Sequence, residues 1–125
     1  MEFPSELKYT KEHEWVSVEG NTATIGITAH AQSELGDVVY VDVPDEEAEV
    51  APGDTIGTIE AVKTVADIYS PLSGKLVAVN AVNDGPDIVN HEPYTGGWLV
   101  KIEMSDVSEL DSLLTVDAYK QLIGQ

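Results

Sequence analysis

A chain of 125 residues with 42% hydrophobic content is long enough for one domain with its own core, and no apolar run approaches the roughly 18 residues a membrane-spanning helix needs. Its 23 acidic residues against six basic ones, all lysine, give a formal charge of −17; such a surface repels phosphate backbones and argues against nucleic acid as a partner. There is no cysteine, hence no disulfide, thiol nucleophile or thiolate ligand, and any sulfur chemistry has to be done by an attached group.

The absence of arginine also removes the guanidinium fork best suited to bidentate phosphate or carboxylate capture. The acidity serves solubility, including in a salt-rich cytoplasm, or steering toward basic partner surfaces; composition leaves both open. Met1 to Glu6 is acidic and has neither the basic n-region nor the apolar h-region of a signal peptide. A cytoplasmic protein is the simple expectation, and a mature mitochondrial protein stripped of its transit peptide would read the same.

In chain order, residues 1–12 are polar and read as an irregular lead-in. Trp15–Val18 and Thr22–Ile27 alternate as strands around the turn residues Glu19-Gly20-Asn21. Thr28 is placed to cap a short helix over Ala29–Leu35, with Gly36 where a terminating glycine belongs. Val38–Val43 has strong strand propensity, and Pro44 with the acidic Asp45–Glu49 reads as a solvated loop. A turn over Val50–Asp54 then precedes a strand at Thr55–Ile59 and a return strand at Val65–Tyr69, with Lys63 at the tip between them.

Ser70–Gly74 is a further turn and Lys75–Val79 a further strand. Asn83–Asn90 suggests a turn opening one helical turn, with Pro86 near its first position. His91–Gly97 is a loop and Trp98–Ile102 a last strand. Beyond Ser105 the period becomes helical: Ser108 is expected to cap Glu109–Leu114 and Thr115 to cap Val116–Ile123, with their apolar faces packed on the core. Many short strands at close spacing, separated by Gly and Pro turns, indicate a mainly β chain, a sandwich or flattened barrel with peripheral helices.

No catalytic constellation stands out. His13, His30 and His91 have no metal-ligand spacing, and there is no G-x-S-x-G elbow, phosphate-binding loop or dinucleotide turn. Acid pairs such as Glu12/Glu14 are what 23 acids produce by chance. Nothing assembles a nucleophile, base and oxyanion hole, so a protein with neither catalytic residues nor a metal site is expected. Lys63 alone is conspicuous, because residues 12–62 contain no lysine or arginine. The ordinary role of an exposed hairpin lysine is solubility or edge protection.

The segment Glu60-Ala61-Val62-Lys63-Thr64-Val65-Ala66-Asp67-Ile68-Tyr69-Ser70-Pro71-Leu72-Ser73-Gly74 resembles the lipoylation segment of the glycine cleavage system H-protein family. The resemblance continues in His13-Glu14-Trp15-Val16, Ala23–Thr28, Gly36–Val41, Val89-Asn90, Pro93-Tyr94 and Gly97–Ile102. It implies a single lipoyl-carrier domain over 1–125, a barrel-sandwich hybrid with its core at about 14–103 and a C-terminal helical extension at about 105–124. It also implies lipoic acid bound as an amide to Lys63, and a monomeric carrier that is not itself an enzyme. Its implied partners are a pyridoxal-phosphate glycine decarboxylase that loads an aminomethyl group, a tetrahydrofolate-dependent aminomethyltransferase that unloads it, a dihydrolipoamide dehydrogenase that reoxidises the arm, and a lipoyl transferase or ligase.

By the same resemblance Glu14 and Asp67 would hold the aminomethyl amine, and Glu60 and Gly74 would help the lipoylating enzyme read the hairpin. Gly74 reads equally as a turn residue needing positive φ. A lysine with an octanoyl chain reaches on the order of 15 Å, far enough to visit several active sites. Four other readings compete. Val62 and Thr64 beside Lys63 disfavour a biotin carrier, which usually has methionines there, and the His13-Glu14-Trp15 segment and C-terminal helices disfavour a 2-oxo-acid dehydrogenase lipoyl domain. A lipoyl storage or relay protein and an unmodified structural module complete the alternatives.

Overall fold

The computed structural model describes residues 3–43 and 48–125. Two antiparallel sheets face each other. The larger runs in the order β1 (Lys8–Tyr9), β2 (Glu14–Glu19), β3 (Thr22–Ile27), β9 (Val100–Met104), β8 (Gly74–Val79), β5 (Glu49–Val50). The smaller consists of β4 (Val38–Asp42), β6 (Thr55–Ala61) and β7 (Val65–Tyr69), with β6 in the centre. Between the sheets lies the main core, built from alternate strand residues such as Val16, Ile25, Ile59, Ile68, Leu76 and Ile102. This is the mainly β architecture that the strand spacing indicated and the barrel-sandwich that the resemblance implied. No described helix is long and apolar enough to cross a membrane.

Three short helices sit outside the sheets: α1 (Ala29–Leu35), α2 (Ile88–His91) and α3 (Val116–Leu122). Thr28 and Thr115 cap α1 and α3 as expected, each side-chain oxygen accepting from the N–H three residues on. Gly36 ends α1 at φ 80°, a conformation open to glycine at little cost.

The lead-in differs from its reading. Residues 8–9 form β1, with Lys8 opposite Val16 and Tyr9 opposite Trp15, and Phe3, Leu7 and Tyr9 are buried. They belong to a second core, with Trp15 and Tyr119, on the outer face of the large sheet. Trp15 and Val16, neighbours on β2, point to opposite faces and so enter different cores. The C-terminal extension closes that second core: Tyr9 and Leu114 exchange backbone hydrogen bonds of 2.9 and 2.8 Å.

Other differences are local. Asp106, not Ser108, caps the first C-terminal helix, which is a 3₁₀ segment over Val107–Ser112. Pro86 precedes the Asp87 cap of α2 instead of opening the helix, and Val82–Asp84 is a separate 3₁₀ turn. The last strand starts at Val100, two residues later than read. Glu49, assigned to the acidic loop, pairs with Lys75 in β5; Pro44 and Asp45–Glu47 lie outside the described residues.

Candidate functional site

The β6–β7 hairpin turns through Val62-Lys63-Thr64, closed by the Ala61 N–H donating to the Thr64 carbonyl at 2.9 Å. Its tip is fastened from below. The Val62 N–H donates to the Asp37 carbonyl at 2.9 Å and the Lys63 N–H to the Leu35 carbonyl at 3.3 Å. The backbone under Lys63 is thereby fixed to the end of α1 while its side chain stays exposed. The lysine stem passes over Gly36, where a Cβ would lie 3.2 Å from Lys63 Cγ; glycine leaves that path clear. Asn90 secures the same corner, its side chain accepting from the Val38 N–H and donating to the Gly36 carbonyl.

Beside the tip runs a groove of about 270 Å³. Ile27, Ala31, Leu35, Ile59 and Ala66 form its apolar lining, and Glu12, His13, Glu14, Glu34 and Asp67 its polar one. Leu35 belongs both to this lining and to the anchor of the Lys63 backbone, so the root of the lysine adjoins the groove. Larger cavities exist elsewhere; a second one of about 500 Å³ also reaches Glu14, from the Tyr69–Pro71 side. Proximity to the hairpin, not size, singles out the groove.

The two sequence-predicted carboxylates, 53 positions apart in the chain by number (67 − 14), both line it. Their environments differ. Glu14 is 3% exposed; its Oε2 accepts the Tyr69 N–H at 2.8 Å and its Oε1 the Thr10 hydroxyl at 3.4 Å. Burial is the dominant influence and, helped by the nearby Glu12 charge, pushes its carboxyl up to about 8 against the pull of those two hydrogen bonds. Asp67 is exposed and accepts the Tyr69 hydroxyl at 3.4 Å; its charge in turn raises the Tyr69 phenol.

Glu60 and Gly74 are not brought together. Glu60 is exposed on β6, paired with Tyr40 and Val65 in the small sheet. Gly74 opens β8 in the large sheet, opposite Met104. Gly74 has the expected positive φ, 159°, though inside a strand and not a turn, and a Cβ there would also overlap the Glu103 carbonyl oxygen.

Several residues in or beside the groove carry no sequence signal. Thr10 organises the approach to Glu14, its hydroxyl oxygen accepting from the Glu12 and Glu14 N–H groups at 3.2 and 3.1 Å. His13 adopts φ 66°, an uncommon state for a non-glycine residue, held by its N–H to the Thr10 carbonyl and its carbonyl to the Thr28 N–H. Its ring lies 4.8 Å from that of His30, which pairs with Glu34 at 3.3 Å. Burial first, then His30, depresses the His13 pKa, opposed by Glu34 and Glu12. Only the adjacency of His13 to Glu14 could have flagged it.

The glycine cleavage H-protein family matches residues 7–125. The glycine cleavage system H protein of Staphylococcus haemolyticus is 56% identical over 126 aligned residues, covering 100% of both chains, and that of Staphylococcus epidermidis is 54% identical with the same coverage. Among solved structures, a glycine cleavage system H protein from Mycobacterium marinum superposes with a TM-score of 0.88 at 35% identity, over 98% of this chain and 100% of that one.

Proposed function

The chain belongs to the glycine cleavage H-protein family and is a lipoyl carrier, not a catalyst; we propose that Lys63 is its attachment point and that the groove beside it seats the arm. The observation that carries this reading is the joining of three features by one short helix end. Lys63 is exposed for acylation, its backbone is hydrogen-bonded to the Leu35 carbonyl, and Leu35 lines a groove holding Glu14 and Asp67. These residues fit a long, uncharged, mostly apolar tether, since amide formation removes the lysine charge and the nearest lining is aliphatic. Bound there, the lipoyl group supplies the disulfide–dithiol exchange and the carriage of an aminomethyl unit that a chain without cysteine cannot provide.

The chain's own part is to position and protect. Ile27, Leu35 and Ile59 offer water no hydrogen-bond partner from their side chains along one side of the groove. Glu14 and Asp67 offer carboxylate oxygens to a basic nitrogen at its polar side. Burial raises the Glu14 carboxyl to about 8, so near neutral pH it holds a proton; Glu14 would give that proton to a free-base amine carried by the arm and pair with the resulting ammonium as its carboxylate. The partners in this reading are a lipoyl ligase or transferase, which attaches the arm, and the glycine decarboxylase, the aminomethyltransferase and dihydrolipoamide dehydrogenase, whose active sites the arm visits in turn.

Intact mass spectrometry after incubation with a lipoyl ligase, ATP and lipoate tests the attachment. One lipoyl adduct is expected, absent in Lys63→Arg; an adduct that survives Lys63→Arg removes the assignment. Glycine–bicarbonate exchange with the reconstituted decarboxylase then tests the route. A lipoylated chain that supports no exchange would mark a storage or relay protein instead.

A further inference from the structure

Tyr119 comes from α3, near the end of the chain, and its side chain is wholly buried. Its ring stacks on Tyr9 at 4.8 Å and 11° and meets Phe3 edge-on. Only the hydroxyl leaves this aromatic cluster. It lies 2.9 Å from His13 Nδ1 and 2.8 Å from Thr28 Oγ1. Those two residues belong to the two walls of the groove. His13 lines it directly and precedes Glu14 on the strand wall. Thr28 caps α1, which supplies Ala31, Glu34 and Leu35 to the other wall and ends under Lys63.

Two proton orders satisfy these contacts. The Ala31 N–H donates to Thr28 Oγ1 at 3.2 Å in both. With the neutral His13 proton on Nε2, the Tyr119 hydroxyl donates to the Nδ1 lone pair and the Thr28 hydroxyl to the Tyr119 oxygen; with it on Nδ1, both donations reverse. Burial and the facing His30 ring favour neutral His13, while Glu34 and Glu12 favour the cation. Protonating His13 would leave only the second order, because both ring nitrogens then donate.

We propose that Tyr119 is a positioning residue for the arm: through its hydroxyl the C-terminal helix fixes the strand wall and the α1 wall of the groove at one separation and keeps the lysine hairpin in register with it. The proposal rests on the groove being the seat of the lipoyl arm. It gives the C-terminal helix a role beyond closing the aromatic core, because the ring alone would serve for packing.

Tyr119→Phe removes the hydroxyl and keeps the stack; Tyr9→Phe, which loses the 2.6 Å bond to the Pro4 carbonyl, controls for a lost hydroxyl of the same aromatic cluster that bonds neither His13 nor Thr28. In the unmodified chain, amide hydrogen exchange at Lys63 should be about five- to thirtyfold faster in Tyr119→Phe, the factor expected for losing one to two ordinary hydrogen bonds. The Ile102 amide in the β3–β9 ladder should speed up by no more than the stability the same variant loses in denaturant unfolding accounts for, and Tyr9→Phe should leave Lys63 unchanged. Equal exchange at Lys63 in wild type and Tyr119→Phe overturns the clasp, whatever the arm does. In the lipoylated, aminomethyl-loaded chain, release of formaldehyde should be faster in Tyr119→Phe than in wild type; equal release from a protected wild type also overturns it. If the wild-type loaded chain decays as fast as aminomethylated free dihydrolipoamide, the groove is not the seat of the arm and the proposal falls with that reading, even where exchange at Lys63 responds.

Discussion

The two ends of the sandwich treat apolar residues in opposite ways. At the hairpin end Val62 and Val65 stand 71% and 61% exposed on either side of Lys63. At the end where the termini meet, Phe3, Leu7, Tyr9, Trp15 and Tyr119 are packed out of water. The difference lies in what the chain brings back. The C-terminal segment pairs with Tyr9 through Leu114, and Glu109 clamps the Ser73 N–H and hydroxyl at 2.7 Å each, so it covers one end. None of the described segments folds over the hairpin. Burial at the closed end contributes stability; exposure at the hairpin end leaves an apolar patch around Lys63, as a surface met by other proteins requires.

The sharpest way to break that contrast is to empty the closed end. Tyr119→Ala removes the ring that stacks on Tyr9 together with the hydroxyl bound to His13 and Thr28. A loss of about 3–5 kcal/mol in denaturant unfolding is expected, as for other large-to-small aromatic changes in a core. A loss below about 1 kcal/mol would show that the second core is not a stability element.

Glu14 places a smaller strain at the border between the two ends. Its carboxyl, raised to about 8, binds a proton more readily folded than unfolded. Between the ordinary value near 4.5 and about 8 the folded chain therefore holds more protons, and its stability falls as pH rises through that window. Glu14→Gln removes this dependence. Relative to wild type the variant should gain from pH 5 to about pH 8 and level off above it, at on the order of a few kcal/mol. His13 acts in the opposite sense: its lowered pKa contributes stability above the ordinary imidazole value that is lost as pH falls below it. Thermal unfolding of the unmodified chain across pH, with Glu14→Gln and His13→Gln, separates the two.

The same contrast explains what the sequence could show. Strands such as Thr22–Ile27 and Val65–Tyr69 were legible because alternation and flanking turn residues are local. Thr28 and Thr115 announced their helices for the same reason. The hairpin end, lysine included, is made of near neighbours and was read nearly whole. The closed end was not: Lys8–Tyr9 has too few residues to carry a period, and its partners Trp15, Leu114 and Tyr119 arrive from elsewhere in the chain. The groove shows both cases. Glu14 and Asp67 were named through family resemblance, whereas Thr10, His13 and Tyr119 join it by hydrogen bonds that no spacing encodes.

Gly74 and Glu60 sharpen the comparison at intermediate size. Gly74→Ala drives a methyl into the Glu103 carbonyl, and a loss of about 1–3 kcal/mol is expected from forced backbone shift. Glu60→Gln changes an exposed residue of the small sheet and should stay within about 0.5 kcal/mol. Lipoylation rates read beside stability then divide the two roles. A slower rate in Glu60→Gln at unchanged stability would be recognition, whereas a slower rate in Gly74→Ala that recovers when its fold is stabilised by osmolyte would be folding.

The smallest effect on stability is expected at the hairpin itself. Val62→Ala and Val65→Ala remove side chains that lie mostly in water, outside both cores. Each should shift unfolding by no more than about 0.5 kcal/mol, within the noise of an ordinary chemical-denaturation series. Their value to the chain must then appear elsewhere. The initial rate of lipoylation at low ligase concentration is the readout, because an apolar patch that helps a partner settle contributes to association and not to folding. A slower rate with unchanged stability marks the patch as part of a contact surface. If instead stability falls by more than 1 kcal/mol, the valines are packed more tightly than their exposure indicates, and the hairpin belongs with the closed end.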